Sequence, residues 1–167
     1  MLFRSDPSFG YMLAASRDTI NTTPPLYFVL CWGWARIFGD SELALRMFSS
    51  LSVCGAFWVM WKVLRPKYGF FAASASLVAA FLGRPLLVQN GEARFYGLYL
   101  LACAMAIERY DRLSNKDQLT WKDYLLNFLA HAALVFTHTF GFFYSFCVLL
   151  ISFLFRMNRK RDRKSVV

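Results

Sequence analysis

The chain has 167 residues, 57% of them hydrophobic and 19% aromatic, and Phe alone occurs 18 times. A soluble domain of this length has too much surface for its volume to bury that much apolar area, whereas a bilayer solvates it. The formal net charge is +9, but the cations lie in short clusters between apolar runs. That sets aside a nucleic-acid-binding face with interleaved aromatics and fits membrane orientation signals.

Residues 1–23 are polar and broken. Met1-Leu2-Phe3-Arg4 is followed by no apolar core, so no signal peptide is read. Asp6-Pro7 predicts a turn or a helix start, because Asp caps a helix and Pro fits its first turn. Thr23 before Pro24-Pro25 repeats that pattern.

Residues 24–38 are apolar on all sides, yet as a helix they would cover only ~22 Å, short of the ~30 Å hydrocarbon core. Trp32, Trp34 and Arg36 suit a membrane–water interface. A juxtamembrane or re-entrant helix is the favoured reading, with a full crossing as the other. Gly39 ends this helix, and Asp40 or Ser41 caps the next, with Glu42 in its first turn.

Five apolar runs follow. Residues 43–64 form the first span. Residues 68–88 form the second, whose Ala72, Ala73, Ser74, Ala75 and Ser76 allow close helix approach. A polar break at 89–94 precedes the third run, 95–107, and a charged loop precedes the fourth, 124–137. His138-Thr139 interrupts before the fifth, 141–155, and a basic tail closes the chain. The four cysteines, Cys31, Cys54, Cys103 and Cys147, lie inside apolar runs without metal-ligand spacing and read as inert thiols. His131 falls in mid-span and reads as a core hydrogen-bonding group.

The expected fold is therefore all-α and multi-pass transmembrane. Its parts are an outer-face loop and juxtamembrane helix over 1–42, about five transmembrane helices over 43–157, and a basic cytoplasmic tail over 158–167. Placing 62–67, 109–122 and 156–164 on one side gathers 13 of the 19 Lys and Arg residues there, which marks that side as cytoplasmic. The opposite face then collects Asp6, Asp18, Asp40, Glu42, Arg84, Glu92, Arg94, Tyr96 and His138. Such groups are costly to hold against a bilayer, so a cluster of them asks for a function.

Four segments in order carry a resemblance. They are Thr23-Pro24-Pro25-Leu26-Tyr27-Phe28; Ile37-Phe38-Gly39-Asp40-Ser41-Glu42-Leu43-Ala44-Leu45-Arg46; Gln89-Asn90-Gly91-Glu92-Ala93-Arg94-Phe95-Tyr96; and Thr137-His138-Thr139-Phe140-Gly141. Together they resemble the GT-C superfamily of integral-membrane glycosyltransferases. The branch is the one similar to bacterial protein O-mannosyltransferases and the lipid A aminoarabinose transferase. Asp6-Pro7 stands where members often carry Asp-Glu, and Thr23 where they carry His.

The resemblance implies transfer of a sugar from a polyprenyl-phosphate donor to an acceptor (protein, lipid or glycan) at the outer face of a bacterial inner or plasma membrane. It implies Asp6 as the base on the acceptor hydroxyl. It implies Arg94, with Arg84, as the phosphate-binding pair, and Glu92, Tyr96 and His138 as further substrate contacts. A carboxylate near a low-dielectric surface gains proton affinity, and an Arg clamps phosphate bidentately, so the chemistry is sound. Each residue also has a structural reading: Asp6 as a cap, Arg94 as an interfacial anchor, His138 as a turn residue. Membrane lipids are the expected surroundings, and nucleic acid is not an expected partner. No cofactor or metal-binding motif is present, although a divalent metal is compatible with the donor. Family members carry a membrane helix before the first acidic loop and many helices after this region, so the chain is expected to be the N-terminal catalytic half without its first span. The competing readings are a non-catalytic scaffold or transporter-like protein, and a binder of lipid-linked sugar that does not transfer it.

Overall fold

The computed structural model describes residues 8–10, 12, 24–83, 94–116 and 118–165, with side chains through 154. Among them it is all-helical: α1 (Leu26–Phe38), α2 (Glu42–Phe81), α3 (Tyr96–Asn115), α4 (Trp121–Thr137) and α5 (Phe140–Ser165).

α1 starts at Pro25, whose backbone is already helical, and stops at Gly39, where φ is +87°. Only glycine takes that conformation without strain. Ser41 then caps α2 by accepting from the Ala44 N–H at 3.2 Å, so Ser41 rather than Asp40 is the cap. Glu42 and Arg46 pair one turn apart at 2.6 Å.

α2 is continuous by hydrogen bonding but not in direction. Gly69 has φ +80° and ψ 170°, outside the helical region. Phe57 and Phe81 would lie about 36 Å apart along a straight helix; their rings are 5.8 Å apart. Trp61 Nε1 donates to Ser74 Oγ at 3.2 Å across the same bend. The element is therefore two antiparallel arms, 42–68 and 70–81, folded at Gly69. Ala73, on the small-residue stretch, is buried where the arms meet.

α3 is the hub and packs against α2, α4 and α5. Two contacts fix its direction. Ser49 Oγ of α2 donates to the Arg94 carbonyl at the start of α3, at 3.1 Å, and Lys67 pairs with Asp111 near its end. α4 returns, with Lys116 paired to Asp123 at 2.6 Å near its start. α5 runs back again, and buried His131 of α4 shares a 2.7 Å hydrogen bond with Ser145 of α5. Successive helices thus alternate in direction, and the bundle has two unlike ends. One holds the 24–28, 40–49, 94–97 and 137–141 segments; the other holds the Lys67–Asp111, Glu108–Arg109, Glu108–Arg112 and Lys116–Asp123 ion pairs.

Close packing comes from small residues. Ala102, Ala104 and Ala106 of α3 are buried, as are Ser49, Ser52 and Ala56 of α2. At Gly97 a Cβ would sit inside 3.0 Å of the Ser49 carbonyl oxygen, so the two backbones touch there. Large apolar side chains face outward instead, including Phe128, Phe136, Phe142, Phe143, Phe146 and Phe153, each more than half exposed. A water-soluble monomer rarely leaves so many together.

One expectation is corrected. The third apolar run gives way at 108 to a charged segment that is helix and not loop. α3 continues to Asn115, because Glu108 pairs with Arg112 one turn on and the segment is rich in good helix formers. α5 continues through the basic tail to Ser165. The second run is helical to Phe81, and residues 84–88 lie outside the described residues. Among the described residues one helix, α2, is long and apolar enough to cross a membrane, by length and composition. α1 and Phe140–Leu154 of α5 are shorter apolar helices.

Candidate functional site

At the end away from the Lys67–Asp111 and Lys116–Asp123 pairs, side chains from four separate segments meet. Tyr27, buried on α1, lies edge-on to Phe95 at 6.4 Å and tilted against Phe48 of α2 at 6.1 Å. With Cys31 and Leu45 it makes a small core, against which Phe28, Ala35 and Leu98 pack. Trp34 Nε1 donates to the Ala44 carbonyl at 2.8 Å, tying the far end of α1 to the first turn of α2. Trp34 is half-buried and braces the two helices against each other. Trp32 is half-buried, with the Arg36 guanidinium 5.0 Å over its ring and Phe9 edge-on at 5.5 Å.

His138 stands where α4 ends, with its ring 4.8 Å from Phe95, 5.3 Å from Tyr99 and 5.3 Å from Phe140. The Phe140 N–H donates to His138 Nδ1 at 3.1 Å. That hydrogen bond places the proton of the neutral imidazole on Nε2, leaving Nε2–H as a donor. The turn beneath it is tight: Gly141 N–H donates to the His138 carbonyl at 2.8 Å. A Cβ at Gly141 would strike the Leu134 backbone. His138 is therefore held by its own turn and by three aromatic rings from two sides.

Of the site residues expected from sequence, Arg94, Tyr96 and His138 come together here. Arg94 is exposed immediately before α3, its carbonyl anchored by Ser49. Tyr96 opens α3, its ring 4.4 Å from that of Phe95. The first turn of α3 has no side-chain cap, so its N–H groups and helix dipole add positive potential beside Arg94. Asp6, Arg84 and Glu92 lie outside the described residues. Asp40 and Glu42 sit at the α1–α2 junction, where Glu42 is engaged by Arg46.

Sequence reading passed over Ser49 and Gly97 and gave Phe95 no role of its own. A serine in an apolar run, and a glycine one residue into a helix after two aromatics, are weak signals singly. Only their juxtaposition gives them meaning. Among the described residues no three His, Cys, Asp or Glu side chains gather as a metal site would require.

A scan against protein-family models and searches of curated proteins and of solved structures find no match to this chain.

Proposed function

We propose that this chain is a multi-pass membrane glycosyltransferase of the GT-C kind, moving a sugar from a polyprenyl phosphate to an acceptor at the outer membrane face. One observation carries the reading. The described parts of the four segments that resemble that superfamily (24–28, 37–46, 94–96 and 137–141), drawn from 119 positions of sequence, converge at one end of the bundle, opposite the end that holds the Lys67–Asp111 and Lys116–Asp123 ion pairs. A multi-pass arrangement draws support from the reversal at Gly69, the alternating helix directions and the outward-facing Phe residues of α4 and α5.

In this reading the Asp6 carboxylate takes the proton of the acceptor hydroxyl as its oxygen bonds to the anomeric carbon. The bond from that carbon to the donor phosphate oxygen breaks, and polyprenyl phosphate leaves with the electron pair. Arg94, with Arg84, holds the phosphate and offsets the charge it gains on leaving. His138 Nε2–H donates to a sugar or phosphate oxygen. Glu92 orients Arg94 or meets the sugar, and Tyr96 lines the same face.

The test is a transfer assay on membrane-embedded protein with a radiolabelled polyprenyl-phosphate sugar. Arg94→Ala and Asp6→Asn are each expected to lower the rate about 10²-fold or more. Full activity in both would overturn the site. Photocrosslinking of the donor without transfer by wild type would favour a non-transferring binder. A cysteine at Ser8, in a background lacking the native cysteines, is expected to react with an impermeant reagent from the outer side only.

A further inference from the structure

A second feature lies at the opposite end, away from the proposed catalytic face. Between the first arm of α2, α3 and α4 there is a cleft of about 370 Å³ lined by Val59, Lys62, Met105, Glu108, Arg109, Leu126, Leu129 and Ala130. That volume is within the ~300–1,000 Å³ range of ligand sites.

Its polarity is graded, and the grading agrees between helices. On α2, Val59 lies one turn deeper than Lys62. On α3, Met105 lies one turn deeper than Glu108 and Arg109. On α4, Leu126, Leu129 and Ala130 lie deeper than Asp123. The cations are thus at the mouth and the apolar walls run toward the bundle middle. Met105, Leu126 and Leu129 are each more than 40% exposed, so the walls open sideways.

The charge at the mouth is positive on balance. Glu108 is only 13% exposed and is held by two guanidinium groups, Arg109 at 2.5 Å and Arg112 one turn on. Lys62 adds a third cation, resting 5.2 Å over the Trp58 ring, and Arg65 rests 4.8 Å over Trp61. Stacked Trp58 and Trp61, with exposed Tyr68, Trp121 and Tyr124, form the kind of aromatic belt that sits at headgroup depth. The mouth lies at that belt.

We infer that this cleft binds an anionic phospholipid of the cytoplasmic leaflet, its phosphate at Lys62 and Arg109 and an acyl chain along Val59, Met105, Leu126 and Leu129. The inference rests on the membrane reading above but not on sugar transfer. A basic mouth at headgroup level and a graded apolar wall match the two halves of such a lipid. A soluble phosphate would use the mouth and leave the wall idle.

The experiment measures lipid retained by the full chain in dodecylmaltoside micelles, offered phosphatidylglycerol or phosphatidylcholine and read by native mass spectrometry. Wild type is expected to retain phosphatidylglycerol in preference. Lys62→Gln is expected to weaken that retention about five-fold, the effect of one cation near an anionic surface, and Leu129→Trp to abolish it by filling the wall. Phosphatidylcholine retention should change little in Lys62→Gln, and millimolar inorganic phosphate should displace nothing. Equal retention of the two lipids by wild type, or displacement by inorganic phosphate, would overturn the assignment without recourse to any variant. Alkaline carbonate extraction from membranes reads the underlying membrane placement separately. Protein that resists extraction but shows no lipid preference refutes the cleft alone.

Discussion

Replacing Gly97 with Ala should push α3 off α2 and loosen the end of the bundle where Arg94 and His138 meet. The added Cβ would sit inside 3.0 Å of the Ser49 carbonyl oxygen, 3.2 Å from the Ser49 carbonyl carbon and 3.3 Å from Val53 Cγ2. Two of these are backbone atoms of a buried helix and cannot swing aside as a side-chain tip does. Forcing one extra carbon into a packed contact costs about 1–3 kcal/mol. The opposing gain, Ala over Gly as a helix former, reaches about 0.8–1 kcal/mol in a helix interior and is smaller in a first turn. The net is a loss of about 1–2 kcal/mol. The hydrogen bond from Ser49 to the Arg94 carbonyl sits beside the clash and should lengthen or break, so proposed phosphate binding by Arg94 should weaken with stability. Gly55→Ala is the internal control, because its Cβ would meet only Leu101 Cδ1 at 3.4 Å, an ordinary contact. The assay is reversible unfolding in mixed micelles, with spin labels on α2 and α3 reporting their separation. A Gly97→Ala protein as stable as wild type, with unchanged helix separation, would refute the close backbone contact.

The buried His131–Ser145 hydrogen bond is expected to couple α4 and α5 by about 0.6–1.7 kcal/mol in a double-mutant cycle with His131→Phe and Ser145→Ala, in line with interhelical bonds in membranes. Coupling near zero would remove its bridging role. At the other end, Lys116 first, and then Thr120, hold the Asp123 carboxyl well below the usual carboxylate range. A group with a lowered folded pKa adds stability that is complete above its unfolded pKa, near ~3.9, and is lost as pH falls below it. Thermal stability of wild type should therefore be flat in this contribution from pH 7 to 5 and decline below about pH 4. Asp123→Ala should lower stability at pH 7 and flatten that acid-side decline. An unchanged acid-side slope in the variant would refute the capping role.

Much of the fold was legible because its signals are local. Gly39 and Ser41 mark a helix end and a cap through backbone conformation and a hydroxyl three residues from its partner N–H. The run lengths and the His138 break follow from apolar composition interrupted by polar groups. The reading of His131 as a core hydrogen-bonding group also holds, since a lone polar side chain in an apolar run must find a partner. Signals failed where a charged segment had two local options. Residues 108–115 look like a loop by charge, yet Glu108–Arg112 pairing and helix propensity carry α3 through them.

What the chain alone determined, then, is its apolar bulk and its breaks, since each depends on neighbours within a turn or two. The reversal between the first two apolar runs was legible; only tertiary structure decided that it falls at Gly69 within one hydrogen-bonded helix. The same holds for the touching backbones at Gly97 and Ser49, for the meeting of Tyr27, Phe95 and His138 at one end, and for the graded cleft among three helices at the other. These are contacts between residues tens of positions apart. They depend on which faces of the helices meet, a choice made by packing small residues against small ones and not by any single segment.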